Sequence, residues 1–134
     1  MRTDGPFTLR SGVVSDWYID ARQTTFDGAG AIVVGKAVVE VLDPEITAVG
    51  GLTMGADPIA VATAAVAASD GRPMRAFSVR KETKGHGVGG RIVGPVYSTD
   101  VVAVVEDTTT TGSASRERIS EFQRNGRWRS GSRG

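Results

Sequence analysis

Residues 101–113 read VVAVVEDTTTTGS and carry the most informative pattern in the sequence. The stretch begins with a continuous apolar run, which is typical of a strand buried on both faces of a parallel sheet. The run ends in two adjacent acids, Glu106 and Asp107, followed by four threonines and a glycine. Because ligands of open α/β sheets bind at the carboxyl ends of the strands, this ending predicts a binding site.

The segments that precede this stretch alternate between strand patterns and helix patterns. In chain order, we predict a hairpin over 7–22, a helix over 29–42, a strand over 45–52, a helix over 56–71, a strand over 74–81, a glycine-rich mobile loop over 82–94 and a strand over 101–106. We expect Ile46, Val49, Val102 and Val104 to be core residues. This order predicts an α/β fold with a central, mostly parallel sheet flanked by helices and an N-terminal β-hairpin.

Length and composition narrow the class of protein. A chain of 134 residues is long enough for a single modest core. No apolar run reaches the roughly 20 residues of a membrane-spanning helix, and the N-terminus lacks a hydrophobic signal core. The chain has no cysteine. We therefore expect a cytoplasmic protein without membrane attachment.

The charge is distributed unevenly along the chain. Residues 114–134 carry six arginines and two glutamates, a net charge of +4. The net charge of the whole chain is +1, so residues 1–113 carry a net charge of −3. A basic tail can contact nucleic acid. The acidic body, however, lacks the basic face that a nucleic-acid-binding domain presents, which argues against that partner.

The polar ending of residues 106–113 indicates a sugar phosphate. Threonine hydroxyls and backbone N–H groups at a helix N-terminus form a cradle for a phosphate. Glu106 and Asp107 would repel a phosphate, but they can accept hydrogen bonds from a vicinal diol such as the 2′- and 3′-hydroxyls of a ribose. The alternative is a buried strand that is followed by an ordinary polar loop.

The stretch RKETKGHGVGG, residues 80–90, places up to four cationic side chains on a glycine-rich loop. These are Arg80, Lys81, Lys84 and His86. Such a loop can close over a polyanion and neutralise charge on a leaving group; the alternative is a solvated basic turn. The loop also contains the spacing G-x-G-x-x-G, but RIVGPVYS follows it instead of the helix that a dinucleotide-binding fold requires.

These two stretches resemble known motifs. VVAVVEDTTTTGS is similar to the phosphoribosyl diphosphate motif of the type I phosphoribosyltransferases, and RKETKGHGVGG resembles the catalytic loop of the orotate phosphoribosyltransferases within that class. GGLTMGADPIA (50–60) and FTLRSGVVSDWYIDAR extend the resemblance over about residues 7–113.

The resemblance implies a reaction and its partners. Orotate displaces diphosphate from C1 of phosphoribosyl diphosphate and gives orotidine 5′-monophosphate for pyrimidine (UMP) synthesis, through an oxocarbenium-like transition state. Magnesium carried by substrate oxygens serves as a Lewis acid. In this family the enzyme is a homodimer, and most of the loop over 82–90 serves the neighbouring active site.

The resemblance also implies the site residues. The diphosphate contacts are Arg80, Lys81, Lys84 and His86, of which Lys81, Lys84 and His86 are catalytic. The ribose acids are Glu106 and Asp107. The 5′-phosphate cradle consists of Thr108, Thr109, Thr110, Thr111, Gly112, Ser113 and Ala114. Orotate contacts Thr110 and Tyr18, and Arg10 is a further basic contact to the substrate. No side chain is expected to bind the metal directly.

The sequence departs from the family pattern in several places. Val13 and Asp16 stand where the family usually has a basic residue and a proline, and Ser113 replaces a second glycine. The family's opening helix, its later strands and the arginine that holds orotate have no counterpart here. We therefore divide the chain into an incomplete phosphoribosyltransferase core, residues 1–113, and a basic tail, residues 114–134.

The origin of the tail has two explanations. Our hypothesis is a shift of the reading frame near Gly112, which makes the tail out-of-frame and disordered and leaves the strand over 101–106 with an exposed apolar edge. The rival is a natural short variant. The coding DNA, read in the other two frames, distinguishes them.

Two other functions remain open at this point. A sibling phosphoribosyltransferase would act on a purine or on uracil. A non-catalytic regulator would bind phosphoribosyl diphosphate as a signal and touch nucleic acid through its tail. Lys81, Lys84 and His86 argue against the regulator, because a sensor needs no loop for a leaving group.

Overall fold

A computed structural model describes residues 3–8, 12, 14–15, 20–81, 90–107 and 129–130. Its elements are β1 (Phe7–Thr8), β2 (Val14–Ser15), α1 (Arg22–Thr25), α2 (Gly28–Val41), β3 (Ala48–Leu52), α3 (Ala56–Ser69), β4 (Arg75–Val79), β5 (Ile92–Val93), β6 (Val101–Val104) and β7 (Arg129–Ser130). Strands β1 and β2 form an antiparallel hairpin, and the other five strands form one sheet in the order β5-β4-β3-β6-β7. Only β5 runs antiparallel to its neighbour in that sheet. The predicted α/β fold with a mostly parallel sheet is confirmed.

The start of α2 and the end of α3 each lie at residues that suit a helix terminus. The Asp27 side chain accepts a hydrogen bond of 3.0 Å from the backbone N–H of Gly30 and caps the start of α2. At the end of α3, Gly71 adopts a φ of 82°. Its N–H donates to Ala68 O at 3.1 Å, and the N–H of Arg72 donates to Ala67 O at 2.9 Å. These are the two hydrogen bonds of a Schellman motif. The predicted end of this helix at a glycine is confirmed.

The sheet buries a layer of apolar residues on each face. Successive residues of a strand point to opposite faces, so Val49 and Ala48 of the fully buried part of β3 belong to different layers. Helix α3 covers the first layer, and α2 packs on α3 where Gly35 meets it. The first layer contains Ile46, Val49, Ala60, Ala64, Ala67 and Met74. The second contains Ala48, Phe77, Val79 and Val102, with Ile92 and Val96 packed over it.

A polar network ties together the amino ends of β3, β4 and β6. Asp100 is 2% exposed and forms an ion pair with Arg75. It also accepts hydrogen bonds from the Thr47 hydroxyl at 2.7 Å and from the Tyr97 backbone N–H at 2.7 Å. The Thr47 hydroxyl in turn accepts from the Val101 N–H at 3.1 Å. Burial alone raises the pKa of Asp100, but these hydrogen bonds and the Arg75 charge outweigh it and lower the pKa below its ordinary value.

Two expectations for the strands are corrected. Val102 is buried as expected, but Val104 is 42% exposed, so β6 is not buried on both faces along its length. Val104 lies near the end of β6, beyond the layer that contains Val102. It pairs with Gly50, and the Phe77 ring fills the space where a side chain at Gly50 would lie. The loop predicted over 82–94 also contains β5, which pairs with β4.

The predicted N-terminal hairpin is present, and two further short elements, α1 and β7, were not predicted. Among the described residues, the hairpin pairs Phe7 with Ser15 and Thr8 with Val14. Helix α1 begins at Arg22, the last residue of the predicted hairpin. In the tail, Arg129–Ser130 pairs in parallel with Val101–Val102 and so covers that part of the β6 edge. Within the part of the chain that the structure describes, no helix is long and apolar enough to cross a membrane.

Candidate functional site

The candidate site lies at the carboxyl edge of the sheet, where β3, β4 and β6 end side by side. The chain leaves β3 through α3 toward β4, whereas β6 lies on the other side of β3. The direction of the connections therefore reverses between β3 and β6, and a crevice opens at such a switch point. The acid pair predicted from the sequence follows β6 directly and thus borders this crevice.

Hydrogen bonds continue the sheet past the strand ends and fix the starts of the loops. The N–H of Val105 donates to Gly50 O at 2.8 Å, and the N–H of Thr53 donates to Val79 O at 3.0 Å. Beyond these bonds, Glu106 is exposed and Asp107 is half-buried. The two acids therefore stand at the edge, one step beyond the last backbone bond between β6 and β3.

The basic loop starts from a closed stem. Val79 of β4 lies opposite Ile92 of β5, and the N–H of Arg80 donates to Arg91 O at 2.7 Å. Both ends of the loop are thus held by the sheet at the same carboxyl edge. Arg80 is half-buried in this stem, and Lys81 is exposed just above it.

The loop between β3 and α3 is the third component of the edge. The Thr53 hydroxyl donates to the Asp57 carboxylate at 2.8 Å and links the loop to the first turn of α3. The peptide bond between Thr53 and Met54 is cis. A side chain at Gly55 would collide with the Asp107 carboxylate, so this acid lies directly against the backbone of the loop.

The structure brings together four of the predicted site residues at this edge. Glu106 and Asp107 lie beyond β6, and Arg80 and Lys81 lie beyond β4, with the end of β3 between the two pairs. The other predicted site residues lie outside the described residues: Arg10, Tyr18, Lys84, His86, Thr108, Thr109, Thr110, Thr111, Gly112, Ser113 and Ala114.

Sequence reasoning gave no site role to the loop between β3 and α3. Its stretch GGLTMGADP contributed only to the resemblance. The available signal was its glycine spacing: Gly51 and Gly55 lie four residues apart at the end of a strand, where close approach of another backbone requires residues without a side chain. Both positions contact the segment that follows β6.

Known proteins resemble the chain in sequence and in fold. These features define an α/β protein with a candidate binding site at the switch point of a mostly parallel sheet. No family model matches the chain. Orotate phosphoribosyltransferase of Streptomyces coelicolor is 48% identical over 111 residues, which are 82% of this chain and 61% of that protein. The chain thus spans about three fifths of the length of this curated relative.

Solved structures agree with the sequence match. The orotate phosphoribosyltransferase of Aeropyrum pernix is 31% identical with a TM-score of 0.66, and the match covers 95% of this chain and 70% of that one. The Mycobacterium tuberculosis orotate phosphoribosyltransferase in complex with Fe(III) dicitrate is 38% identical with a TM-score of 0.70. That match covers 90% of this chain and 67% of the other. The structure of the same enzyme in complex with 5-phospho-α-D-ribosyl 1-diphosphate is 34% identical with a TM-score of 0.65. That match covers 80% of this chain and 60% of the other. The chain belongs to the orotate phosphoribosyltransferase family.

Proposed function

We propose that the chain performs the reaction for which its family is named. The phosphoribosyl group of phosphoribosyl diphosphate is transferred to orotate, which gives orotidine 5′-monophosphate and diphosphate for pyrimidine synthesis. The observation that carries this proposal is the position of Glu106 and Asp107 on one side of the end of β3 and of Arg80 and Lys81 on the other. Two strand spacings separate β6 from β4, about 10 Å, which suits a ribose at one end and its diphosphate at the other.

The two pairs of side chains suit the charges of this donor. Carboxylates accept hydrogen bonds from the ribose 2′- and 3′-hydroxyls and so orient the sugar ring. When the bond from C1 to the diphosphate oxygen breaks, negative charge grows on the leaving group and positive charge grows on the ring. Arg80 and Lys81 at the stem of the basic loop stabilise the former, and the acid pair stabilises the latter.

The remaining predicted residues complete the proposed site. Lys84 and His86 would approach the diphosphate from the basic loop, and His86 is a candidate proton donor. The segment from Thr108 to Ala114 would hold the 5′-phosphate through backbone N–H groups and hydroxyls. Arg10, Tyr18 and Thr110 would contact the substrates, the last two at the orotate ring.

The donor set of the edge fits magnesium held mainly by the substrate. Mg²⁺ takes oxygen ligands, keeps several of its waters and binds substrate phosphates, so the diphosphate and ribose oxygens would hold it beside the acid pair without a direct ligand from Glu106 or Asp107. Within the described ranges, no group of three or more His, Cys, Asp or Glu side chains could hold a metal ion alone. Bound with the donor, Mg²⁺ would supply Lewis-acid stabilisation of the diphosphate.

We also propose a cytoplasmic homodimer in which residues 82–90 reach the partner's site. The closed stem at Arg80 and Arg91 supports a loop that extends from a fixed base. Mixing two inactive variants, Lys84→Ala and Glu106→Gln, tests the sharing of sites. Restored turnover in the mixture supports a shared loop, and no recovery in a mixed dimer contradicts it.

The test of the proposed function is a calorimetric titration of the full chain with phosphoribosyl diphosphate, with and without Mg²⁺. Circular dichroism on the same sample reports whether the chain is folded. We expect saturable binding that is stronger with Mg²⁺, followed by turnover of orotate in preference to uracil and hypoxanthine. A folded chain that does not bind the donor overturns the proposal, and turnover of another base overturns the choice of orotate.

A further inference from the structure

The two acids of the pair have different surroundings in the structure. Val105 packs with the apolar layer that α3 covers. Asp107, two residues further on, lies on the side of the loop between β3 and α3, whereas Glu106 between them is exposed. This follows the alternation of side chains along an extended backbone. The contact of Asp107 with the loop is thus made by the more buried acid of the pair.

Two glycines bring the loop and this segment into backbone contact. A Cβ at Gly51 would collide with Val105 O and would lie 2.7 Å from the Ala56 Cβ. A Cβ at Gly55 would collide with Cγ and both carboxylate oxygens of Asp107. Cβ atoms do not approach other heavy atoms this closely, so the Asp107 carboxylate occupies space that exists because residue 55 has no side chain.

The same contact places a negative charge where the helix favours it. Gly55 is the N-cap residue of α3, and its own residue type supplies no side-chain cap. Backbone N–H groups of a first helical turn carry a partial positive charge, which stabilises a nearby carboxylate. The hydrogen bond from Thr53 to Asp57 holds the loop in this conformation.

We propose that Gly55 is a positioning residue for the phosphoribosyl donor, because the space at its Cα sets the direction in which the Asp107 carboxylate meets the ribose hydroxyls. The inference rests on the proposed function. It assigns to Gly55, in the loop between β3 and α3, a role that acts through the Asp107 carboxylate.

A double-mutant cycle tests the proposal. The dissociation constant for phosphoribosyl diphosphate with Mg²⁺ is measured by calorimetry for the parent chain, Gly55→Ala, Asp107→Ala and the double variant. We expect each single variant to bind roughly tenfold more weakly, which is the size of one lost charge-assisted hydrogen bond. The double variant should bind no more weakly than Asp107→Ala, because Gly55 acts only through that carboxylate.

Controls separate this inference from the proposed function. Gly28→Ala is the matched control, because a Cβ at Gly28 meets nothing within 4 Å, and its affinity should equal that of the parent. A folded parent chain that does not bind the donor overturns the proposed function and this inference with it. If the parent binds and Gly55→Ala binds equally well, or if the losses are additive, the inference alone is wrong.

A second measurement covers a variant that fails to fold. If Gly55→Ala lowers the melting temperature, the double variant should recover it, because removal of the Asp107 carboxylate opens the space that the new methyl group needs. No recovery would show that this methyl group collides with something other than Asp107, and this overturns the proposal.

Discussion

Arg75 reaches across the edge of the sheet from the start of β4 to the carboxylate of Asp100, which directly precedes β6. Strand β3 lies between these two strands, and Thr47, the residue before it, donates to the same carboxylate. The guanidinium of Arg75 also lies 5.1 Å from the centre of the Tyr97 ring, within range of a cation–π contact. One buried acid thus fixes the relative positions of three strands at the edge opposite the candidate site.

Replacing Asp100 with asparagine should destabilise the fold. The substitution removes the charge that compensates Arg75 and disrupts the acceptors for Thr47 and Tyr97. Loss of one member of a buried pair costs about 3–5 kcal/mol, but Arg75 is partly exposed, so we expect a loss of roughly 2–3 kcal/mol. Urea unfolding at pH 7 measures it. Asp70→Asn, at an exposed position after α3, is the matched control and should change the stability little.

The same residue predicts a pH dependence of stability. The pKa of Asp100 is lower in the folded chain than its ordinary value of 3.8. Its contribution is therefore complete above the unfolded pKa and is lost as the pH falls through the lower folded pKa. We expect the difference in unfolding free energy between the parent and Asp100→Asn to shrink below about pH 4. A difference that stays constant down to the acid limit would contradict this assignment.

Gly35→Ala should destabilise the contact between α2 and α3. A Cβ at residue 35 would lie 2.8 Å from Ala62 O and 3.0 Å from Val66 Cγ2, so the helices must move apart. Overpacking costs about 1–3 kcal/mol, and the better helix propensity of alanine offsets up to about 1 kcal/mol. We expect a net loss of roughly 1 kcal/mol in chemical unfolding. Gly28→Ala lies in the same helix without such a contact, and an equal loss there would show that packing is not the cause.

Two of the valines of β6, Val102 and Val104, should differ in their contribution to stability. Val102 is 9% exposed and belongs to the second apolar layer, whereas Val104 is 42% exposed. We expect Val102→Ala to cost about 2 kcal/mol and Val104→Ala less than half of that, since little packing is lost at the exposed position. Equal losses in urea unfolding would mean that a further part of the chain buries Val104.

The arrangement of the long elements could be predicted from the sequence because each carries a local signal. The alanine-rich run before Gly71 and the Asp27 cap specify the helices, and the apolar run of β6 specifies a strand. Strand order could not be derived in this way, since the pairing of β3 with both β4 and β6 depends on contacts between residues far apart in the chain. Elements of two residues, such as β5 and β7, have too few residues to show a period.

For the candidate site, the sequence predicted which residue types gather at the edge but not how they are held. The acids after β6 and the cations after β4 were predicted because each follows a strand-like run. The contact between Gly55 and Asp107 joins residues that no local pattern relates. It becomes visible only once the order of the strands places their loops side by side.

Lys81→Ala should weaken binding of the donor through loss of a charge at the diphosphate. Lys81 is exposed just beyond the stem of the basic loop, on the opposite side of β3 from the acid pair. One charge-assisted contact corresponds to roughly a tenfold change in the dissociation constant for phosphoribosyl diphosphate at low salt. The change should be smaller at high salt, because screening weakens exposed charges most.

Lys36→Ala is the matched control, since Lys36 is an exposed lysine on α2 rather than at the carboxyl edge of the sheet. Calorimetry with inorganic diphosphate and with ribose 5-phosphate locates the effect of Lys81→Ala along the donor. We expect the loss with diphosphate and little change with ribose 5-phosphate, because the lysine lies beyond β4 and the sugar acids lie beyond β6. A loss confined to ribose 5-phosphate would reverse the orientation that we propose for the donor across the end of β3.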